Sequence, residues 1–535
     1  MEKENKEKII KIVLSSILLI LSYMLDVKFG FNVWVRRLVF FIPYIIISFE
    51  AILEVIENIV KGLNVFDEDF LMVVASLGAY ILGEYNEATI VFVLYSIGEM
   101  LEDMAIYKSE KSILDLLDLR PDYCNILDKD NLRRVDPNDI KIGDTVYIRP
   151  GEKIPFDGEV IDIVGSKEAS LDTSSLTGES KKRIANIGDK ILSGFTNISG
   201  NNREVLQSEI SDIIDGTIAL KVEKSFSDST ATKIINLVES EEKKKAKSEK
   251  FITKFARVYT PIVCLFAILI ILIPGIITND FSTWIYRGLT FLVISCPCAL
   301  VISIPLTFFS SIGGASKKGI LIKGANIMED LSKVSIIAFD KTGTLTEGNL
   351  DNDKVKDTAH ESITTLKKMG IRYTIMLTGD YKSIAFDIGD ALGIDKVIPE
   401  LLPDGKVEEV ERLLKEKEEK DVVAYVGDGI NDAPCMLKSD IGIAMGLKGS
   451  DAAIEASDVV LMDDNPIKIS KAIKLSRKCL RIVKENIIFS IFVKAMCLIL
   501  GAFGVINMWL AIFSDVGVMI LAVLNALRGL KEKNA

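Results

Sequence analysis

Four aspartates and a lysine mark where this chain could do chemistry. Asp340 ends the apolar run VSIIAFD and opens the turn DKTGT (340–344). Thr378-Gly379-Asp380 closes YTIMLTGD, Asp428 and Asp432 follow VVAYVG in GDGIND, and Lys406 lies in the connection between. Each group stands just beyond a short apolar run, and in a parallel α/β sheet ligands bind at the carboxyl ends of the strands. Carboxylates, hydroxyls and glycine amides converging there suit phosphoryl transfer. A carboxylate can attack a phosphoryl group and carry it covalently, provided that Mg²⁺ on oxygen ligands and a lysine offset the crowded negative charge. Asp340 is the expected nucleophile and Asp428 the expected Mg²⁺ carboxylate. Lys406, Thr378 and the Gly379 amide are placed to hold phosphoryl oxygens. Lys341, Thr342, Asp380 and Asp432 complete the catalytic set, with Asp340, Thr342, Asp428 and Asp432 as the Mg²⁺ group. One such aspartate alone would be an ordinary turn or cap residue; the set in this order is not.

A second group lies in apolar surroundings. FLVISCPCALVISIP (291–305) sets Cys296 and Cys298 about Pro297. In an unbroken helix two residues two apart project about 200° apart. Pro297 removes one backbone bond and crowds the carbonyl of Val293, so the helix should open and let both sulfurs face one site. Lys494 in NIIFSIFVKAMCLIL and Asp515 in MWLAIFSDVGVMILAVL are ionisable groups at membrane depth, costly unless paired. Two thiolates and a carboxylate suit Zn²⁺ or Cd²⁺, whereas soft Cu(I) favours sulfur without the hard oxygen. Lys494 is expected to pair with Asp515 when the ion leaves.

The elements that must position these groups follow from composition. The chain has 535 residues, 49% of them hydrophobic and 26% charged, with a formal net charge of −11 and a mean hydropathy of +0.31. That mixture predicts membrane helices alternating with charged soluble stretches, and it argues against nucleic acid as a partner. Apolar segments long enough to cross a bilayer fall at 9–26, 38–60, 69–85, 86–105, 258–276, 284–305, 484–504 and 508–530. The charged start MEKENKEK precedes a membrane helix rather than a cleavable signal. Eight crossings put both termini on one side, and Lys3, Lys6, Lys8, Lys11, Arg528, Lys531 and Lys533 make it the cytoplasmic side of a plasma membrane. Lys28, Arg36 and Arg37 in the first outer hairpin run against that rule. Seven scattered cysteines show no disulfide framework, so reduced thiols are expected. Between the spans, 106–257 holds β-like runs such as DTVYIRPG and FDGEVIDIV and ends in the charged EEKKKAKSEK. Residues 306–483 alternate strand and helix patterns, as in a doubly wound parallel sheet.

AFDKTGTLTEG, MLTGD and GDGINDAP, with SLTGES at 175–180, resemble the P-type ATPases over roughly residues 70–530. The resemblance implies a polytopic α-helical membrane protein with eight transmembrane helices, a β-rich actuator domain and an α/β haloacid-dehalogenase-like phosphorylation domain. The chain then divides into transmembrane helices 1–4 (1–105), the actuator with helical flanks (106–257), helices 5–6 with the Cys-Pro-Cys (258–305), the phosphorylation domain (306–483) and helices 7–8 (484–535). It implies that Glu179 positions the water that hydrolyses an aspartyl-phosphate. Cys-Pro-Cys with Lys494 and Asp515 is similar to the zinc/cadmium/lead-exporting branch of the heavy-metal ATPases. Asp340 would then carry phosphate from ATP to drive export of Zn²⁺, Cd²⁺ or Pb²⁺, with Mg²⁺ as cofactor and membrane lipid as surroundings.

The pattern departs from the family in the phosphorylation domain. A nucleotide-binding domain is expected between DKTGT and TGD, but residues 345–377 number only 33, below the roughly 50 that a domain requires. The insertion is expected to be missing near 349–355, and DNDKVKDTAHESITTLKKMGI reads as one linker and one helix. The single histidine, His360, is followed by glutamate and not by the proline of the family's nucleotide motif. No Cys-x-x-Cys domain precedes the first helix, 200–225 is atypical for an actuator, and two lysines follow TGES. Two alternatives keep the same motifs: a metal-binding or regulatory remnant unable to use ATP, and a Cu(I) transporter. A separate nucleotide-binding partner would reconcile the missing insertion with ATP use.

Overall fold

The computed structural model describes residues 2–61, 68–117, 121, 123–128, 131–173, 182–199, 213–229, 232, 247–295, 298–348, 354–446, 455–502, 505 and 508–530. The chain divides into two compact units, Met1–Ser109 with Lys247–Ser310 and Arg481–Ala535, and Glu110–Ala246 with Ser311–Leu480.

The first unit is helical, and within the described residues the apolar stretches of the sequence fall mainly on its helices. Among the described residues, four helical segments are long and apolar enough to cross a membrane: Glu7–Phe29, Val33–Lys61, Tyr259–Thr278 and Phe281–Ser316. Their outward faces carry Ile17, Ile20, Leu38, Ile42, Leu265 and Ile273, all exposed. Apolar surface on this scale calls for lipid rather than water. In a bilayer every backbone polar group needs a partner within the protein, and the first hairpin shows how one is found. Pro43 sits inside the helix Val33–Lys61 and cannot donate to the carbonyl four residues before it. The Ser22 hydroxyl of the preceding helix donates to that carbonyl, Val39 O, at 3.4 Å. The helix Phe281–Ile294 stops at Ser295, and a new helix begins at Cys298. The interruption therefore flanks the Cys-Pro-Cys stretch, whose residues 296–297 lie outside the described residues.

The second unit holds the sheets. Strands β1 (Cys124–Asp128), β2 (Asn131–Val135), β3 (Thr145–Ile148), β4 (Gly158–Ile163), β5 (Glu168–Asp172), β6 (Lys182–Asn186), β7 (Lys190–Ile191), β8 (Thr196–Asn197) and β9 (Ile218–Val222) form its first part. They build a six-stranded sheet, β2-β1-β3-β9-β4-β7, and a three-stranded one, β6-β5-β8. Alternate residues such as Val146 and Ile148, Ile218 and Leu220 are buried in a shared core, the period-two pattern of a half-buried strand. The predicted DTVYIRPG and FDGEVIDIV runs are β3 and β4. Of EEKKKAKSEK, only 247–250 is described, where the helix Lys247–Thr278 begins.

The second part carries β10 (Ile320–Ile322), β11 (Val334–Asp340), β12 (Tyr373–Leu377), β13 (Lys396–Ile398), β14 (Val422–Gly427), β15 (Ile441–Met445) and β16 (Val459–Leu461). Their order is β10-β16-β15-β14-β11-β12-β13. The five apolar runs read from the sequence are β11, β12, β14, β15 and β16, and their ladders are parallel. Two features differ from the expected sheet. The edge strand β10 runs antiparallel to β16, so the sheet is mixed. β10 and β13 also escaped the sequence reading, because three residues are too few to show periodicity.

The short interval after DKTGT closes on itself. Glu347 N–H donates to Lys354 O at 2.9 Å and Lys356 N–H to Leu345 O at 2.9 Å, with Thr346 bridged to Val355. A single helix, Ala359–Lys368, then leads to β12.

Candidate functional site

Register brings the predicted catalytic residues to one level. Asp340 pairs with Leu377 across β11–β12, and Phe339 pairs with Val426 across β11–β14. Asp340, Thr378 and Asp428 therefore leave neighbouring strands at the same end. The strand order turns back at β11, which is where open α/β sheets hold ligands.

Lys406 Nζ donates to Asp340 Oδ1 at 2.5 Å and to Asp432 Oδ1 at 3.2 Å. Asp340 is 6% exposed and Asp432 2%. Carboxylate oxygens of Asp340, Asp428 and Asp432 lie within 4.8 Å of one another. Burial, then the Asp432 charge, pushes the Asp340 carboxyl up to about 7 against the pull of Lys406. Burial and Asp432 likewise raise Asp428 to about 6. For Lys406, burial favours the neutral amine, but Asp340 and Asp432 outweigh it and the ammonium is stabilised. Two buried carboxylates share one ammonium with the half-buried Asp428 beside them, a donor set that fits a hard divalent cation such as Mg²⁺.

The remaining predicted residues sit around this group. Lys341 is buried and pairs with Asp380 Oδ2 at 2.6 Å, tying the β11 loop to the β12 loop. Thr378 is buried, and its hydroxyl accepts from Asp380 N–H at 3.2 Å. Thr342 and Gly379 are exposed at the mouth. Gly343 has φ of +72°, and a β-carbon there would collide with the Asp428 carboxylate. Gly343→Ala should therefore cut aspartyl phosphorylation by about 10²-fold or more, from strain and displacement together, while the chain still folds; acid-stable labelling with a thermal scan checks it.

Sequence reasoning missed four neighbours. The Tyr425 hydroxyl donates to Asp432 Oδ1 at 2.8 Å; a tyrosine inside the buried run VVAYVG was the available signal, since a buried phenol needs a partner. Lys356 Nζ donates to Gly343 O, and burial lowers its pKa although Asp464 and Asp428 oppose this. Nothing in the sequence marked it. Asp463 and Asp464 follow β16, and the strand-end rule that singled out Asp340 applies to them as well.

In the helical unit, Lys494 Nζ pairs with Asp515 Oδ1 at 2.6 Å and donates to Ile294 O at 3.3 Å. The expected pairing is present, one residue before the helix interruption. Cys296 and Pro297 lie outside the described residues, Cys298 is described only as the start of its helix, and Glu179 lies in the undescribed 174–181. The five described cysteines, Cys124, Cys264, Cys435, Cys479 and Cys497, are all free.

Residues 118–239 match the P-type ATPase actuator domain family, and 348–440 match the haloacid dehalogenase-like hydrolases. A cadmium, zinc and cobalt-transporting ATPase of Bacillus subtilis (strain 168) is 38% identical over 92% of this chain and 82% of its own length. The chain belongs to the P-type ATPases. A zinc-transporting ATPase of Synechocystis sp. (strain ATCC 27184 / PCC 6803 / Kazusa) is 36% identical over 88% of this chain and 77% of its own. A crystal structure of a zinc-transporting PIB-type ATPase in an E2.Pi state superposes with a TM-score of 0.56 at 27% identity, covering 98% of this chain and 100% of the other. These relatives put it in the heavy-metal branch, among multi-pass membrane proteins.

Proposed function

We propose that this P-type ATPase exports Zn²⁺ or Cd²⁺ across the plasma membrane, driven by phosphorylation of Asp340. The observation that carries the choice of ion is the Lys494–Asp515 pair, bonded to Ile294 O beside the Cys-Pro-Cys interruption. Cys296, Cys298 and Asp515 hold the ion as substrate, and Lys494 replaces it on Asp515 after release. The names of the relatives, which transport cadmium, zinc and cobalt, support the same choice.

Asp340 Oδ attacks the γ-phosphorus of ATP. The new P–O bond forms as the bond to the leaving ADP oxygen breaks. Lys406 holds Asp340 and Asp432 in place, while Thr378 and the Gly379 amide receive phosphoryl oxygens. Lys341 and Asp380 fix the two loops that carry them. Asp340, Asp428 and Asp432, with Thr342, would hold Mg²⁺, which would supply neutralisation of the phosphoryl charge. Glu179 orients the water that later cleaves the acyl phosphate. The chain crosses the membrane eight times with both termini cytoplasmic, divided into domains as read from the sequence.

This reading includes a phosphorylation domain without the nucleotide-binding insertion. The 33-residue interval and the Glu347–Lys354 backbone pairing support it. So does an alignment to the Bacillus relative over 599 positions, more than the 535 residues here. Labelling of the purified protein with ATP, with and without Zn²⁺, tests the whole. Zn²⁺-dependent acid-stable label that Asp340→Ala abolishes is expected. Label from acetyl phosphate but not ATP would assign nucleotide capture to a separate partner. Label from neither would overturn the exporter.

A further inference from the structure

A lysine on a loop carbonyl is ordinarily a clamp, and Lys356 does hold one: its Nζ donates to Gly343 O. Its surroundings ask for more. It stands in the short interval between DKTGT and TGD, where backbone pairing of Glu347 with Lys354 and of Lys356 with Leu345 folds the chain back along the loop after β11. Gly343, the residue it bonds, is the one whose β-carbon would lie 1.6 Å from Asp428 Oδ2. One residue therefore separates the ammonium from an expected Mg²⁺ carboxylate. The other two lysines of the crevice are already matched, Lys406 to Asp340 at 2.5 Å and Lys341 to Asp380 at 2.6 Å. Lys356 is not. It is half-buried, and burial works against its charge while Asp464, Asp428 and Asp463 favour it. Yet among the described residues no carboxylate closes an ion pair with it, and Asp463 pairs with Lys468 at 2.7 Å instead.

The sheet order fixes which side of the crevice this ammonium serves. β12 and β14 flank β11 on opposite sides. Thr378 and Gly379 follow β12, whereas Asp428 follows β14 and Lys356 arrives beside it. A phosphoryl group on Asp340 then has the β12 loop for its own oxygens and an ammonium without a carboxylate partner on the other side. We propose that Lys356 binds the leaving side of the phosphoryl donor: its ammonium takes an oxygen of the phosphate next to the one transferred, the β-phosphate of ATP. This rests on phosphorylation of Asp340 as read above. As the bond from Asp340 Oδ to the γ-phosphorus forms, the bond from that phosphorus to the bridging oxygen breaks, and its electron pair leaves with ADP. Negative charge gathers on the β-phosphate, and a fixed ammonium aimed there acts where charge develops. Lys356 keeps its proton throughout. An ammonium has three donors, so Lys356 can hold Gly343 O and phosphate oxygens together, which ties donor binding to the position of the DKTGT loop. The interval too short for a nucleotide-binding domain thus supplies a cation for the donor itself.

The test is acid-stable labelling of the full-length protein over a range of donor concentrations, with ATP and with acetyl phosphate. Acetyl phosphate has an acyl carbonyl where ATP has its β-phosphate, so it offers Lys356 no anionic oxygen before the bond breaks. In Lys356→Met the ATP concentration for half-maximal label should rise about tenfold, the scale of one charge-assisted hydrogen bond, and that for acetyl phosphate by less than about threefold. Lys356→Arg keeps the charge and should stay close to the unmodified protein with both donors. Lys356→Gln carries the same expectation as Lys356→Met should the latter not fold. An equal rise with both donors, or a loss of maximal label at unchanged half-saturation, would leave Lys356 only its clamp on Gly343 O and overturn the proposal. Label from acetyl phosphate alone in the unmodified protein would overturn it as well, with phosphorylation of Asp340 still standing. Label from neither donor would fail the exporter reading first and take the donor site with it.

Discussion

Lys494→Met should leave the ion site able to load but unable to empty. Lys494 is held by Asp515 at 2.6 Å and by Ile294 O at 3.3 Å, so the ion-free site has its own counter-charge in place. Removing one member of a buried pair leaves an uncompensated charge, which costs about 3–5 kcal/mol. In Lys494→Met that charge is the Asp515 carboxylate, and a bound Zn²⁺ relieves it. Zn²⁺ should therefore bind more tightly, and transport into vesicles should fall by about 10²-fold or more as the ion is retained. Asp515→Asn should do the reverse, losing Zn²⁺ binding and Zn²⁺-dependent labelling together. The double variant removes both charges, so its thermal stability should return towards that of the unmodified protein while transport stays absent. A double-mutant cycle on stability, read beside vesicle uptake, separates pairing from ligation. Equal loss of binding in both single variants would remove the counter-charge role from Lys494.

The crevice was legible in the sequence because its chemistry comes from strand ends. VSIIAFD, YTIML and VVAYVG are apolar runs that only a buried strand explains, and the residues after them had to share one edge. Lys406 was readable as a residue type but not as a geometry; its simultaneous contact with Asp340 and Asp432 depends on the helix Pro403–Glu416. Tyr425 and Lys356 were not read, for one physical reason. Each is an isolated residue whose partner lies elsewhere in the fold, and no local period marks a tertiary contact. The membrane pair lay between these cases. Two ionisable groups in apolar runs each need a partner, and Lys494 and Asp515 had no better one than each other.

Asp340→Asn should stabilise the protein without metal even as it ends phosphorylation, and the gain should depend on pH. Asp340 stands at about 7 and Asp428 at about 6 in the folded chain, against roughly 4 when unfolded. Between those limits the folded state binds more protons than the unfolded one, so stability falls as pH rises from about 4 to 7. Below about 4 both states are protonated and the penalty is absent; above 7 it is fully present. Because the two sites are coupled and Asp428 is only half-buried, the two carboxylates together should destabilise the folded state by about 2–4 kcal/mol at pH 7.5. In EDTA at that pH, Asp340→Asn should raise Tm by roughly 5–10 °C, and at pH 4 the difference should largely vanish. Mg²⁺ should raise the Tm of the unmodified protein more than that of the variant, because it neutralises the charge that the variant has already lost. The crevice is thus least comfortable when it is empty and ionised, and that same discomfort favours taking up the cation and the phosphoryl group. A variant no more stable than the original at pH 7.5 would mean that Lys406 alone balances the three carboxylates, and the stored repulsion would have to be abandoned.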